Sequence, residues 1–250
     1  MGGVRVLVVE PSRLDPSSPL GGWLAAAGAD AEVVRPAEEP LPATLDGYEG
    51  LIVLGGLMGA LDDLEHPWLA EVRGLLSSAV AKQVPVLAVS LGAQLLAAAT
   101  GGQVRPMPKG PEAGTLLIAK RDVAAEDVLL GPAPLTPDVL QFHGDEVSVL
   151  PPSAQLLASS PKCENQAFRV GSCGYGVQFH VESSPAVVRS WIERAPEIAA
   201  AARPGHWDDE HLAEFHVDLA ETWRPVVERF VGLAGTPVDE RRSSRFLPLA

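Results

Sequence analysis

The sequence predicts an α/β fold in which helices flank a mostly parallel, twisted sheet, with a small antiparallel strand section and further helices towards the C-terminus. Apolar runs alternate with helix-length segments in the first half of the 250-residue chain, which is typical of βαβ units. From about Gly114 the apolar runs become shorter and are separated by Gly-Pro and Pro-Pro pairs, which indicates antiparallel strands. Beyond residue 205 an amphipathic helical pattern takes over.

The first half of the chain is predicted to contain four strands and three helices. Apolar runs rich in β-branched residues predict strands over residues 4–9, 31–34, 48–54 and 84–89. Gly28 ends a helical run that begins at residue 20, and Pro67 opens a helix that reaches about Lys82. The fourth strand passes directly into a helix over residues 93–99.

The second half is predicted to continue with short strands and to end in helices. We expect strands over residues 115–119, 139–142, 156–158, 167–170 and 175–179. A helix is expected over 185–194, a turn or linker over 196–205, and an amphipathic helix over 208–233 that is interrupted at Pro225. The tail, 236–250, is expected to be exposed or loosely docked.

The chain is expected to form a main domain, residues 1–195, and a helical extension and tail, residues 196–250, packed on it. The extension carries one apolar stripe, formed by Leu212, Phe215, Leu219 and Trp223. This stripe should bury against the main domain or against a second copy of the chain, which would make the protein a homodimer. Packing is the expected role of the extension, and covering a ligand pocket is the alternative.

Composition excludes several kinds of partner. The formal net charge of −13 argues against binding to nucleic acid or to an anionic membrane. The two cysteines, Cys163 and Cys173, provide no disulfide framework and suit a reducing compartment. No signal peptide precedes the first strand, so we expect a cytoplasmic protein. The sequence indicates no metal and no cofactor, and His206, His211 and His216 are interpreted as surface residues of the last helix.

Residues 84–97 are the stretch around which the prediction is organised. A buried strand meets a helix with no room for a loop, so Ser90 should lie on a tight turn at the carboxyl end of the sheet. A side chain there projects beside backbone N–H groups and the positive end of the helix dipole. This pattern is typical of a nucleophile elbow. The alternative is an ordinary junction in which Ser90 is a helix N-cap.

Two further patterns suit catalysis. A strand is predicted to end at His180, and Glu182 lies two residues further on, on the same side of an extended chain. A carboxylate so placed can hold the imidazole in one tautomer and make it a general base. Gly55-Gly56 follows a buried strand, and its N–H groups are free to form an oxyanion hole. Each pattern alone also suits a solvated His–Glu pair or a plain strand-end turn.

Together these motifs resemble the class I glutamine amidotransferase family, the Cys-His-Glu type. Members of that family carry an apolar strand ending in Gly-Gly, an elbow of the form Gly-x-Cys-x-Gly-x-Gln, and a later Phe-His-Pro-Glu. The corresponding stretches of this chain are 54–56, 88–94 and 179–182. Residues 62–68, 142–145 and 165–169 also look like the stand-alone, GMP-synthase-like branch. The resemblance covers roughly residues 45–195 and implies a flavodoxin-like α/β fold.

The resemblance implies an amide hydrolase or transferase that acts on the γ-amide of glutamine or of a γ-glutamyl compound. His180 would be the base, Glu182 its orienting partner, and the backbones of Gly56 and Leu91 the oxyanion donors. The substrate pocket would be lined by Gly55, Gln94, His143, Gly144 and Asp145. The resemblance implies no cofactor. Any ammonia acceptor would be a separate synthetase, because the sequence shows neither a synthetase domain nor a nucleotide-phosphate loop.

Three positions depart from the family pattern, and one of them is serious. Ala88 replaces the first elbow Gly and Val181 replaces the usual Pro, and both changes are tolerable. Ser90 stands where the nucleophilic Cys belongs. A hydroxyl is much harder to deprotonate than a thiol, so we expect glutamine hydrolysis to fall by ~10³-fold or more. Neither Cys163, in a loop, nor Cys173, some ~20 Å of extended chain before His180, is expected to replace it.

Three interpretations of Ser90 stay open. They are an engineered Cys-to-Ser change, a natural pseudoenzyme, and a natural Ser-His-Glu hydrolase. The hydrolase is the least favoured, because the chain order and the Gly-Gly loop match the amidotransferase layout. The sequence therefore leaves two classes of function: an amidotransferase-like enzyme that is inactive or very slow as written, and a module that binds a ligand or partner without turnover.

Overall fold

The structure is a computed structural model that describes residues 2–13 and 18–243. Twelve strands lie in this part of the chain: β1 (Val4–Val9), β2 (Ala29–Val34), β3 (Gly50–Val53), β4 (Val86–Val89), β5 (Gln103–Pro106), β6 (Glu112–Leu117), β7 (Ala119–Lys120), β8 (Asp138–His143), β9 (Asp145–Val149), β10 (Ala154–Ser159), β11 (Ala167–Val170) and β12 (Gly174–Val177).

Seven α-helices and one 3₁₀-helix accompany these strands in the described residues. The α-helices are α1 (Leu20–Ala26), α2 (Trp68–Lys82), α3 (Leu91–Ala99), α4 (Pro185–Arg194), α5 (Pro196–Ala199), α6 (Asp209–Gly235) and α7 (Val238–Ser243). The 3₁₀-helix spans Asp122–Glu126. None of the described helices combines the length and hydrophobicity that crossing a bilayer requires.

A single eight-stranded sheet forms the centre of the molecule, in the order β2-β1-β3-β4-β12-β11-β10-β7. The first five strands of that order run parallel, and β11, β10 and β7 add on antiparallel. Two small antiparallel pairs, β5-β9 and β6-β8, lie outside it. The predicted fold class, a mostly parallel sheet with an antiparallel section and helices, is confirmed.

The central strands are buried on both faces because helices cover the sheet from both sides. Every residue of β3, β4 and β12 is buried, as the continuous apolar runs predict for parallel strands. Alternate residues of β1, β3 and β4 enter two separate apolar clusters, one on each face of the sheet. One cluster contains α2 and α3, and the other contains α1, α4 and α6.

Several predicted boundaries were wrong, and some elements were not predicted. β12 ends at Val177, three residues before His180, because His180 leaves the sheet and pairs with Leu140 through one isolated bridge. The strands β5 and β9 were not predicted, and a short helix, α5, occupies part of the predicted 196–205 linker. Of the predicted tail, residues 238–243 form α7, and residues 244–250 lie outside the described part of the chain.

Helix α6 continues through Pro225, where an interruption was predicted. Proline removes one hydrogen bond from a helix interior, but residues on both sides of it are packed in the core. The predicted stripe, Leu212, Phe215, Leu219 and Trp223, is buried against the main body of the chain. Tertiary packing therefore outweighs the local preference of proline.

Gly92 allows α3 to lie directly on the neighbouring strand. A Cβ atom at this position would lie 2.1 Å from the carbonyl oxygen of Val53 in β3, closer than any real contact permits. By contrast, a Cβ atom on Gly74, in α2, would meet nothing within 4 Å. The first glycine is required by a close approach of backbones, and the second is not.

We therefore predict opposite effects for two helical Gly-to-Ala changes. Gly92→Ala should lower the free energy of unfolding by about 2 kcal/mol or more, because β3 or α3 must shift. Gly74→Ala should raise it by about 0.5–1 kcal/mol, because alanine loses less backbone entropy. Urea unfolding of both variants measures this, and equal effects would contradict the assigned role of Gly92.

Candidate active site

Ser90 occupies a strained turn between β4 and α3. Because β4 ends at Val89 and α3 begins at Leu91, a single residue changes the direction of the chain. Ser90 takes φ 53° and ψ −110°, a conformation that costs a non-glycine residue about 1–3 kcal/mol. Its N–H donates to the Val177 carbonyl at 2.7 Å, and its side chain makes no capping hydrogen bond to the helix. Ser90 thus stands at the N-cap position of α3 without capping the helix through its side chain, and the strained turn has the geometry of an elbow.

His180 and Glu182 form a buried, hydrogen-bonded pair. Nδ1 of His180 lies 2.8 Å from Oε1 of Glu182, and the two residues are 3% and 0% exposed. A carboxylate only accepts, so Nδ1 carries the proton and Nε2 of a neutral ring is left with its lone pair. The second carboxylate oxygen accepts the N–H of Val181 at 2.9 Å. The imidazole is therefore held in the tautomer that a general base requires.

Gly55 is the point at which these groups meet. A methyl group built on Gly55 would lie 2.8 Å from Cε1 of His180 and 3.5 Å from Cβ of Ser90. One on Gly56 would lie 2.8 Å from Cδ2 of Leu91, so Gly56 packs against the Leu91 side chain. Leu91 is the first residue of α3, where N–H groups have no partner within the helix. The structure thus brings together Ser90, His180, Gly55, Gly56 and Leu91.

The remaining predicted pocket residues adjoin the first turn of α3. Nε2 of Gln94 donates to the Asp145 carbonyl at 3.3 Å, and Nδ1 of His143 donates to the same oxygen at 2.8 Å. The other ring nitrogen of His143 faces Oε1 of Gln141 at 3.0 Å and Oε2 of Glu112 at 3.4 Å. Both ring nitrogens of His143 are therefore engaged in a buried network that holds the turn between β8 and β9. Gly144, which is half-buried, lies in that turn between His143 and Asp145.

Asp145 carries a titratable carboxyl group at this edge. Burial raises the pKa of Asp145, the negative charge of Asp62 raises it further, and His143 opposes both effects. Asp62 belongs to the loop after β3, which also contains Gly55 and Gly56. Two acidic side chains, Asp62 after β3 and Asp145 at the start of β9, therefore lie near the predicted pocket.

Sequence reasoning missed Trp191, which packs on the His180 ring and on Phe142, the first residue of the 142–145 motif. The Trp191 ring of α4 lies 4.2 Å from the His180 ring, centroid to centroid, and 5.7 Å from the Phe142 ring. Both aromatics line a cavity of only about 10 Å³ beside His180, together with Ser12, Gly55, Gly56, Leu57 and Glu182. Small-molecule sites usually measure about 300–1,000 Å³, so this cavity is far smaller than a usual substrate site. The spacing of Trp191 along α4 signalled only a core position.

Neither cysteine is placed to act at this site. The Cys173 carbonyl accepts the Val86 N–H at 2.9 Å, which puts Cys173 at the start of β4, at the opposite end of the strand from Ser90. It borders a separate groove of about 820 Å³. Cys163 is buried, and burial raises the pKa of its thiol to about 12, with the charges of Glu112 and Glu146 contributing. A protonated, buried thiol is a poor nucleophile.

The three histidines of the C-terminal region bind to the main body of the chain. Nδ1 of His206 accepts the Thr115 N–H at 3.1 Å, and Nε2 of His211 lies 2.7 Å from the Thr115 hydroxyl. His216 contacts Ser183. His206 and His216 are both half-buried, and His206 precedes α6, so the interpretation as surface residues of the last helix was wrong for these two. The described residues contain no cluster of three or more potential metal ligands among His, Cys, Asp and Glu.

Comparison with known sequences finds similar proteins across most of the chain. Residues 23–194 match the family model for glutamine amidotransferase class-I. The chain is 30% identical over 159 residues to gamma-glutamyl peptidase 4 of Arabidopsis thaliana, an alignment that spans 63% of this chain and 62% of the plant protein. It is 33% identical over 144 residues to a glutamine-hydrolyzing GMP synthase of Porphyromonas gingivalis, which spans 57% of this chain and 26% of that longer protein.

The fold has close counterparts among solved structures. The crystal structure of a glutamine amido transferase from Methylobacillus flagellatus matches with a TM-score of 0.78 and 30% sequence identity. The match covers 93% of this chain and 95% of the other. The likeness therefore includes most of the C-terminal extension as well as the sheet.

The strain at Ser90 predicts a measurable gain in stability. Ser90→Gly should unfold at higher urea than Ser90→Ala, by about 1 kcal/mol, because glycine adopts a positive φ without steric cost. Both variants lack the hydroxyl, so their difference isolates the backbone. Equal free energies of unfolding would show that the turn stores no strain.

Proposed function

Because this chain belongs to the class I glutamine amidotransferase family, we propose that its site acts on the γ-amide of glutamine or of a γ-glutamyl compound, by hydrolysis or by transfer. The observation that carries the proposal is the hydrogen-bonded His180–Glu182 pair, which meets the Ser90 turn at Gly55. A general base, a position for a nucleophile at a helix start and paired glycines are the parts that acyl transfer needs.

In the proposed reaction the atom at position 90 attacks the γ-carbonyl carbon. Nε2 of His180 takes the proton of the attacking group and then gives it to the departing nitrogen, which leaves as ammonia or an amine. The N–H groups of Gly56 and Leu91 stabilise the oxyanion. Nε2 of His180 then deprotonates a water molecule, whose attack releases glutamate. In the transfer reaction an amine attacks instead and takes the γ-glutamyl group. The Glu182 carboxylate, which accepts the Nδ1–H hydrogen bond, stabilises the imidazolium that forms in each step.

With a serine at position 90 we propose that the chain is inactive or very slow. A Cys–His pair forms a thiolate before substrate arrives, whereas a serine hydroxyl must lose its proton during attack. The oxyanion hole and base remain in place, so the loss should resemble the removal of one member of a triad, ~10³-fold or more. This expectation is the same whether the serine is natural or introduced.

The names of the relatives indicate a class of substrate and a class of partner. Gamma-glutamyl peptidase 4 is named for γ-glutamyl peptides, and the GMP synthase for glutamine hydrolysis, with this chain matching about a quarter of its length. We propose glutamine or a γ-glutamyl small molecule as the substrate. If ammonia is passed on, a separate synthetase is the acceptor. A homodimer and a cytoplasmic location remain predictions from the sequence.

The alternative is a module that binds a ligand or a partner protein without turnover. One observation favours it: the hydroxyl in place of a thiol at position 90. Under this alternative the chemistry of residue 90 is irrelevant, and binding should be the same for serine, cysteine and alanine. The two proposals therefore differ in one measurable property.

The deciding experiment compares the chain with its Ser90→Cys variant. We expect the variant to release glutamate from glutamine or from a γ-glutamyl dipeptide at least ~10³ times faster than the serine form. Glutamate and ammonia or amine are measured together, so that hydrolysis and transfer are distinguished.

The control is Ser90→Cys combined with His180→Asn, which retains the thiol and removes the base. Activity that depends on His180 supports the enzyme. A Ser90→Cys variant that is folded and inert towards both substrates would contradict it and favour the binding module.

A further inference from the structure

Helix α6 reaches the back of the site through His216. Nε2 of His216 lies 3.1 Å from the hydroxyl of Ser183, the residue that follows Glu182. Ser183 is 2% exposed and lies 33 residues from His216 in the sequence. The contact joins the C-terminal helix directly to the segment that carries the His–Glu pair.

The direction of this hydrogen bond follows from the other ring nitrogen. Nδ1 of His216 lies 2.6 Å from the Leu212 carbonyl, which can only accept, so Nδ1 carries a proton. Burial lowers the pKa of His216, although the Leu212 carbonyl opposes this effect, so the ring is neutral near pH 7. Its Nε2 therefore accepts the hydroxyl proton of Ser183.

The turn from His180 to Ser183 is held at both ends. At its start the His180 N–H donates to the Leu140 carbonyl at 2.8 Å. In the middle the hydroxyl of Ser18 donates to the Glu182 carbonyl at 2.7 Å. At its end Ser183 donates to His216. The two donors to the Glu182 carboxylate, on His180 and Val181, lie within the turn itself. The orientation of the turn therefore depends on its hydrogen bonds to Leu140, Ser18 and His216.

We infer that His216 is a positioning residue, which holds Ser183 and thereby fixes Glu182 and the His180 ring in the geometry of a general base. This inference rests on the proposed function for its effect on turnover. It assigns the helical extension a part in the site, beyond packing, although His216 touches neither the substrate nor the reacting atoms.

A second hydroxyl–imidazole contact on α6 supplies a matched control. His211, five residues before His216, contacts the Thr115 hydroxyl at 2.7 Å. This contact also ties α6 to the main body of the chain. Thr115 stands opposite Leu140 in the β6–β8 pair, but the contact uses only its hydroxyl, so changing Thr115 to Val or His211 to Phe leaves that backbone pairing in place. Variants at the two contacts therefore separate a general effect of loosening α6 from a specific effect on the turn.

The test uses Ser183→Ala, His216→Phe and their combination in the Ser90→Cys background. Each single change should lower kcat by about 10- to 100-fold with little change in KM, because a small displacement of the base slows proton transfer. The double variant should lose no more than either single variant, because all three lack the same hydrogen bond. His216→Gln, whose amide oxygen can accept from Ser183, should recover part of the loss.

Thr115→Val and His211→Phe should leave kcat unchanged. If they lower kcat as much as the test variants do, or if His216→Phe leaves kcat unchanged, α6 serves packing alone and the inference is wrong. Melting temperatures of all variants identify any loss that comes from unfolding.

A second measurement needs no turnover and uses the chain with Ser90. The proton between Nδ1 of His180 and Glu182 should give a downfield ¹H NMR signal, as hydrogen-bonded imidazole protons do. We expect His216→Phe and Ser183→Ala to shift or broaden this signal and His211→Phe to leave it in place. If the Ser90→Cys parent is inert, the proposed function is wrong. If the signal is unchanged in His216→Phe, the positioning role of His216 is wrong.

Discussion

The junction between β4 and α3 is the constraint on which the carboxyl edge of the sheet depends. Only Ser90 separates the two elements, so the chain turns within one residue and adopts a positive φ. Backbone contacts on both sides hold that turn, since Val177 accepts the Ser90 N–H and Val53 leaves room for nothing larger than glycine at position 92. The flanking strands β3 and β12 are therefore drawn against the turn, and the glycine pair and the histidine that follow them must converge beside Ser90.

The His180–Glu182 pair is costly to bury, and its own turn offsets that cost. A buried carboxylate destabilises a fold by several kcal/mol unless hydrogen bonds replace its water. Here Nδ1–H of His180 and the N–H of Val181 supply those bonds, and neither involves residue 90. The base is thus preorganised whichever atom occupies the nucleophile position. The enzyme and the binding module share this geometry, and they differ in the reactivity of residue 90.

Local signals explain which parts of the fold and site were predictable. The α2 helix, the elbow and the His–Glu spacing depend on neighbours in the sequence, such as Pro67 before Trp68 or the small residues around Ser90. The exposed, mixed sequence of β5 becomes a strand only by pairing with β9, more than thirty residues later, so no local pattern marks it. The continuity of α6 at Pro225 and the contacts of Trp191 and His216 likewise arise from packing between distant segments. Local pattern thus marked the groups that we propose to react, but not the residues that support them.

The extension is physically continuous with the site although the matched family region ends at residue 194. Trp223 of α6 packs on Phe179 with ring centroids 4.9 Å apart, and its indole N–H donates to the Asp138 carbonyl at the start of β8. Phe179 precedes His180, and β8 carries Leu140, which binds the His180 N–H. Removing α6 would therefore uncover the core and free the histidine at the same time, so a truncation cannot distinguish packing from positioning. Only changes at single hydrogen bonds, which leave the apolar stripe intact, can separate the two roles.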